Sequence, residues 1–221
     1  KKAGGEYKMV SWHNKYAGEE AVLCGTGPSL WNIDPSLVRN TGRLVFGLNN
    51  SFELLGLDFW MGFDAPDQFD PKLWSQDNIK LYAWNHRIEA HQLKAKNIFF
   101  YKAYGLEVDS SKKFDEEIVV AGPYINFIFE GYTFSMALHM LHWLGFKRVF
   151  LVGCDFGGTS KLSQMSTSYT EKGHQHHLKG ALGFLEEAHR QSPIEFVSCT
   201  PDSPINLFLD YKSIGTLKSK S

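Results

Sequence analysis

The 221-residue chain is short of several things that would decide its class at once. No stretch reaches the roughly 18 consecutive apolar residues that would mark a membrane-spanning helix, and no secretory leader pattern is present. Cysteine occurs three times, as Cys24, Cys154 and Cys199, without C-x-x-C spacing. That excludes a disulfide framework and the cysteine-rich zinc modules. Each thiol sits in or beside an apolar, strand-like run, the setting of a buried reduced cysteine, so a cytoplasmic protein is expected, with peripheral membrane attachment left open. The formal charge of −1 supplies no global basic field for nucleic acid. Internal repeats and low-complexity segments are absent. The stretch AVLCGTGPSLWNID (residues 21–34) opens like a nucleotide-binding domain, yet it lacks the third glycine of the dinucleotide fingerprint. No Gly-Lys-Ser/Thr follows either, which argues against ATP hydrolysis by a P-loop.

What is present is an ordinary globular mixture, 43% hydrophobic and 21% charged, with a high aromatic share of 14%. Such a share serves either a bulky core or a stacking surface. Short apolar runs at Ala21–Cys24, Leu44–Leu48, Phe59–Phe63, Ile79–Ala83, Ile98–Tyr101, Val149–Val152 and Glu195–Ser198 read as strands covered on both faces. Asn85–Ala95, Tyr132–Leu144 (stopped by Gly145) and His177–Gln191 (stopped by Pro193) read as helices. The alternation predicts an α/β fold: a single Rossmann-like domain with a mostly parallel sheet, helices on both faces and a lid loop. The expected division is an extension over 1–19, the domain over 20–210 and a tail over 211–221 that frays after Leu217. The polar segment 157–176 follows directly on a strand end and is too long for an ordinary connection, which suits a lid.

Ligands of such sheets bind beyond the carboxyl ends of the strands, so the residues there are the candidates. Gly25, Thr26, Gly27, Pro28 and Ser29 form the first loop, where glycine allows close backbone approach and amide N–H groups attract phosphate. A plain strand-to-helix turn explains the same residues. Asn49 or Asn50 ends the second strand and can read a base or ribose, or make an Asx turn. Asp64 and Asp67 follow the third strand as ligands for a metal or a sugar hydroxyl, or as caps before Pro71. Gly153-Cys154-Asp155 places another carboxylate at the same edge. His174, His176 and His177 are too crowded in sequence for one zinc site, so no metal site is expected. A lid imidazole suits a general base, and Asp155 joins His174 and His176 as the catalytic candidates.

The motifs GTGPSL, LNNSF, EGYTFSMALHMLHWLGFKRVFLVGCDF, GHQHHLKGALGFLEEAH and IEFVSCTPDSPINLF occur in an order that resembles glycosyltransferase family 42, the bacterial sialyltransferases. The same order is similar to the Rossmann-like group called domain of unknown function 115, which includes motility-associated factors and an archaeal pterin diphosphokinase. The resemblance runs from about residue 20 to 208. It implies that the Gly25–Leu30 loop and Asn50 hold the donor nucleotide, that Glu130 and Gly131 lie against the base, and that His174 is the base. Tyr169 is the first lid tyrosine that could reach the donor phosphate. Thr26 stands where the family carries Asn, and Glu130 where it usually carries Ser. Asp64 matches the second group.

The resulting expectation is transfer of a sugar from a nucleotide-sugar co-substrate to an acceptor hydroxyl, without a required cofactor. The acceptor is a glycan or, less in keeping with the charge, a hydroxylated nucleobase in DNA. A stripe of Lys72, Lys80, Lys94, Lys96 and Lys102 is the feature that would serve DNA. The alternatives are pyrophosphoryl transfer with Asp64 and Asp155 on magnesium, and a non-catalytic nucleotide or glycan binder. Homo-oligomerisation is compatible with the aromatic content.

Overall fold

Each of the seven apolar runs forms a strand, and an eighth short one joins them. The computed structural model describes residues 12–83, 86–102, 118–119, 133–156 and 171–220. Its strands are β1 (Glu20–Cys24), β2 (Leu44–Leu48), β3 (Phe59–Gly62), β4 (Ile79–Ala83), β5 (Ile98–Lys102), β6 (Ile118–Val119), β7 (Arg148–Val152) and β8 (Glu195–Ser198). They make one sheet in the order β6-β5-β4-β3-β2-β1-β7-β8, every pair parallel. The chain builds outward from β1 to β6 and then returns to place β7 on the other side of β1. That reversal puts a switch point between the carboxyl ends of β1 and β7.

Strand alternation divides the core. Ala21, Leu23, Phe59, Met61, Val149 and Leu151 face one side, under helices α4 (Thr133–Trp143) and α5 (Glu171–Gln191). Val22, Cys24, Phe150 and Val152 face the other, with Val38 of α1 (Pro35–Arg39). On that second side, Trp60 and Tyr82 pack with Leu73 and Trp74 of α2 (Lys72–Ser75) and Ala90 of α3 (Arg87–Gln92). The fold is therefore a Rossmann-like α/β domain with helices on both faces, and its aromatics are largely core. Trp60 meets Phe69 and Trp74 edge-on, at 5.1 and 5.7 Å between ring centroids.

Several boundaries differ from the sequence reading. Helix α5 begins at Glu171, ahead of His177, so residues 171–176 are helical. The polar EKGHQHH carries no apolar period to reveal that turn. Helix α1 is short but locally specified: Asp34 Oδ1 accepts from the Ser36 N–H at 2.9 Å, and Pro35 occupies the first turn. Residues 12–18 are built into the domain. The N–H groups of Asn14, Tyr16 and Gly18 donate to the carbonyls of Trp143, Leu144 and Gly145, closing the carboxyl end of α4. Nor does the chain fray after Leu217. Lys218 accepts from the Arg43 guanidinium at 3.0 Å, and the Lys220 N–H donates to the Thr41 carbonyl at 3.0 Å.

Candidate functional site

The tips of β3, β2, β1 and β7 stand side by side, so their loops form one continuous rim. At the switch point the first loop and the turn after β7 interlock. The Gly25 N–H donates to the Val152 carbonyl and the Gly27 N–H to the Gly153 carbonyl, each at 2.8 Å. Asp155 closes over the loop: its Oδ2 accepts from Ser29 Oγ at 2.8 Å, and both carboxylate oxygens lie 3.3 Å from the Ser29 N–H. A side chain at Gly27 has no room, since its Cβ would stand 1.9 Å from Asp155 Oδ2. At Gly25 a Cβ would stand 2.5 Å from the Gly153 carbonyl oxygen.

This arrangement leaves few main-chain amides of the loop open to a phosphate. Pro28 has no N–H, and those of Gly25, Gly27 and Ser29 are already engaged. Among the described residues, Thr26 keeps the one uncommitted main-chain donor between Gly25 and Ser29. The partner that commits Ser29 lies 126 residues away in sequence, out of reach of any local motif.

The Asp155 turn is itself held from behind. The Cys154 N–H donates to Thr200 Oγ1 at 3.0 Å, and Ser203 Oγ donates to the Cys154 carbonyl at 2.7 Å. Gly153 and Phe156 adopt left-handed φ values of 65° and 44°, so the chain reverses sharply on either side of the carboxylate. Phe156 meets Phe134 of α4 edge-on at 5.1 Å, tying the turn to the start of that helix.

At the tip of β2, Asn49 has φ 45°, and its Oδ1 is buried without a hydrogen-bond partner among the described residues. Its carbonyl accepts from Trp60 Nε1 at 2.7 Å. Asn50 is half-buried beside it. At the tip of β3, the Asp64 carbonyl accepts from the Tyr82 hydroxyl at 2.6 Å. Asp67 is exposed, and the cap before α2 is made by Asp70, whose Oδ1 accepts from the Lys72 N–H at 2.8 Å. Trp60, Tyr82, Thr200 and Ser203 escaped the sequence reading. The first two carry a signal in retrospect, as buried polar-tipped aromatics whose N–H and O–H need partners.

Asp64 and Asp155 follow strands that are not neighbours in the sheet. Strands β2 and β1 separate their parent strands, a backbone distance of about 14 Å for three strand spacings. Among the described residues no group of three or more His, Cys, Asp or Glu side chains could hold a metal ion. Lys80 also leaves the proposed lysine stripe, being fully buried in β4.

The three thiols gather near the same edge but stay apart. Cys24 and Cys199 share a face, yet β7 runs between their strands, about 9.5 Å of backbone separation and beyond disulfide reach. Cys154 packs on the opposite face. Burial pushes Cys199 up to about 12 and raises Cys24 and Cys154 as well, so all three remain protonated, unreactive thiols.

Helix α5 connects β7 to the parallel β8, so its first turns rise at the carboxyl edge of the sheet. His174, His176 and His177 all lie within its first two turns. Glu130, Gly131, Tyr169 and residues 157–170 of the lid lie outside the described residues.

A parallel sheet whose strand order reverses at the β1/β7 switch point defines a Rossmann-like α/β domain. Solved structures with this fold include the sialyltransferase CstII from Campylobacter jejuni in complex with a substrate analogue, cytidine-5'-monophosphate. It superposes with a TM-score of 0.52 at 17% identity, covering 93% of this chain and 88% of that one. The monofunctional alpha-2,3-sialyltransferase Cst-I from the same organism gives 0.50 at 14% identity, covering 90% and 82%. At such identities the likeness is one of fold. No protein-family model and no curated protein matches the chain.

Proposed function

We propose that this protein is a glycosyltransferase that moves a sugar from a nucleotide-sugar donor to a hydroxyl of an acceptor glycan. The observation that carries this reading is the switch point, where the loops after β1 and β7, bearing Thr26 and Asp155, meet beside the β2 tip with Asn49 and Asn50, in a fold shared with two sialyltransferases. The neighbour complexed with cytidine-5'-monophosphate makes a CMP-linked sugar the first donor to test. The nucleotide lies along the tips of β1 and β2, and the anomeric carbon faces the opening toward α5.

The reaction is a direct displacement. His174 takes the proton of the acceptor hydroxyl as its oxygen attacks the anomeric carbon, and the nucleoside phosphate leaves with the bonding pair. The family resemblance favours His174 over His176 as this base. An ordered rim excludes water and favours the acceptor over hydrolysis. DNA is a poor acceptor candidate, given the charge of −1 and the burial of Lys80.

Thermal-shift measurements with CMP, UDP, GDP and ATP, followed by transfer assays with the stabilising nucleotide's sugar conjugates, test this reading. Stabilisation by CMP and transfer that is lost in His174→Ala but kept in His176→Ala are the expected results. A protein that no nucleotide stabilises and that transfers nothing is a different kind of molecule.

A further inference from the structure

We propose that Asp155 is a positioning residue that splints the first loop, and that it takes no part in proton transfer. The inference deepens the glycosyltransferase reading and rests on it for its activity readout. Asp155 projects from the turn after β7, where sequence alone offers an acid, a base or a metal ligand.

The geometry points elsewhere. The carboxylate is spent on the chain's own donors: Ser29 Oγ at 2.8 Å and the Ser29 N–H at 3.3 Å from both oxygens. Bonds from neutral donors to an ionised carboxylate are among the stronger hydrogen bonds a protein makes. Gly27 passes so close beneath Oδ2 that even a methyl group there would collide at 1.9 Å. From below, Leu30 abuts Gly153, where an added Cβ would meet the Leu30 Cβ at 2.8 Å. Thr200 and Ser203, from the segment after β8, hold the Cys154 N–H and carbonyl just behind.

Loop, turn and brace thus form one interlocked unit, with Asp155 as the bolt between the loops that follow the paired strands β1 and β7. Thr26, between the two clamped glycines, is presented in one arrangement with its N–H uncommitted. A loop ordered before binding costs the ligand less ordering entropy, so the bolt should act on affinity rather than on bond making.

The experiment compares Asp155→Asn, Asp155→Ala, Ser29→Ala and the double alanine variant. Hydrogen exchange of the peptide spanning residues 25–30 reads the splint without any ligand, CMP calorimetry reads affinity, and the pH profile of kcat reads proton transfer. Loss of these bonds should speed exchange and weaken CMP binding about tenfold in Asp155→Ala, and Ser29→Ala should do the same. The double variant should add little to either single one. Asp155→Asn, which keeps an oxygen acceptor for Ser29, should recover most of the affinity and preserve both limbs of the kcat profile.

A loss of kcat in Asp155→Asn as deep as in Asp155→Ala, with one pH limb missing, would overturn the proposal in favour of acid–base catalysis. So would independent, additive losses in the double variant. If the parent protein binds none of CMP, UDP, GDP and ATP, the glycosyltransferase reading falls, while the exchange comparison still decides whether Asp155 splints the loop.

Discussion

Trp60 donates its indole N–H to the main-chain carbonyl of Asn49 across 2.7 Å, fastening the tip of β2 to the aromatic layer under β3. The indole is fully buried against Phe69, Trp74 and Tyr82, so the bond has a rigid base. Asn49 sits at a left-handed φ of 45°, a conformation asparagine tolerates better than other residues with side chains, and the bond helps to hold it there. Trp60→Phe keeps most of the ring packing and removes the donor. It should cost about 1–3 kcal/mol in denaturant unfolding and weaken nucleotide binding at the Asn49–Asn50 corner. Tyr82→Phe, which loses the 2.6 Å bond to the Asp64 carbonyl, should destabilise comparably without that binding defect.

Two glycines should respond oppositely to alanine. Gly27→Ala drives a Cβ to 1.9 Å from Asp155 Oδ2 and 2.7 Å from the Gly153 carbonyl oxygen. The carboxylate can swing away but the carbonyl cannot, so a loss of several kcal/mol, about 2–4, is expected by the mechanism of core overpacking. Gly183, on the exposed side of α5, has nothing within 4 Å of its added Cβ. Gly183→Ala should raise stability by about 0.5–1 kcal/mol through helix propensity. Thermal unfolding of both variants checks the contrast.

Acid should weaken the fold through His139. Burial on α4, with a smaller contribution from His142, lowers this imidazole from 6.5 to about 4, and its ring packs against Phe184 at 5.1 Å. Between those two values the unfolded chain holds the proton and the folded one does not, so stability rises with pH across the window and is lost on acidification. The shift corresponds to an upper bound of about 3 kcal/mol. His139→Gln should flatten the pH dependence of the unfolding free energy between pH 4 and 6.5. An unchanged slope in that variant assigns the acid sensitivity to another group.

Lys80 should be indispensable for folding, though it lies on the edge of the sheet away from the crevice. Its ammonium, fully buried, donates to the Gln76 carbonyl at 2.6 Å, Asn78 Oδ1 at 2.9 Å and the Lys96 carbonyl at 3.1 Å. Burial lowers its pKa to about 8, which leaves it charged at neutral pH. Lys80→Met keeps the stem and strands the oxygens. It should cost about 3 kcal/mol or more, with nucleotide affinity unchanged in the fraction that folds.

The strands were legible because each is a nearly unbroken apolar run, such as AVLC or RVFLV, whose burial on both faces leaves no other reading. The first turns of α5 were hidden, since EKGHQHH has no apolar period and Gly173 is a poor helix former. The tail was misread because its lysines look solvated, whereas main-chain bonds at Thr41 and the Arg43 guanidinium hold it. Lys80, alone among apolar neighbours in IKLYA, could have been read as buried, but four acceptors from two separate turns had to converge to allow it.

By itself the sequence determined the α/β class, the strands, the glycine loop and the set of polar residues at strand ends. Those follow from local rules of burial, turn chemistry and side-chain spacing, which act over a few residues. Only the tertiary structure decided which strand ends are neighbours: it set β7 beside β1, brought Asp155 onto Ser29, and left two strands between those that Asp64 and Asp155 follow. The physical reason is the return of β7 to the far side of β1, a long-range pairing that no short stretch of chain encodes.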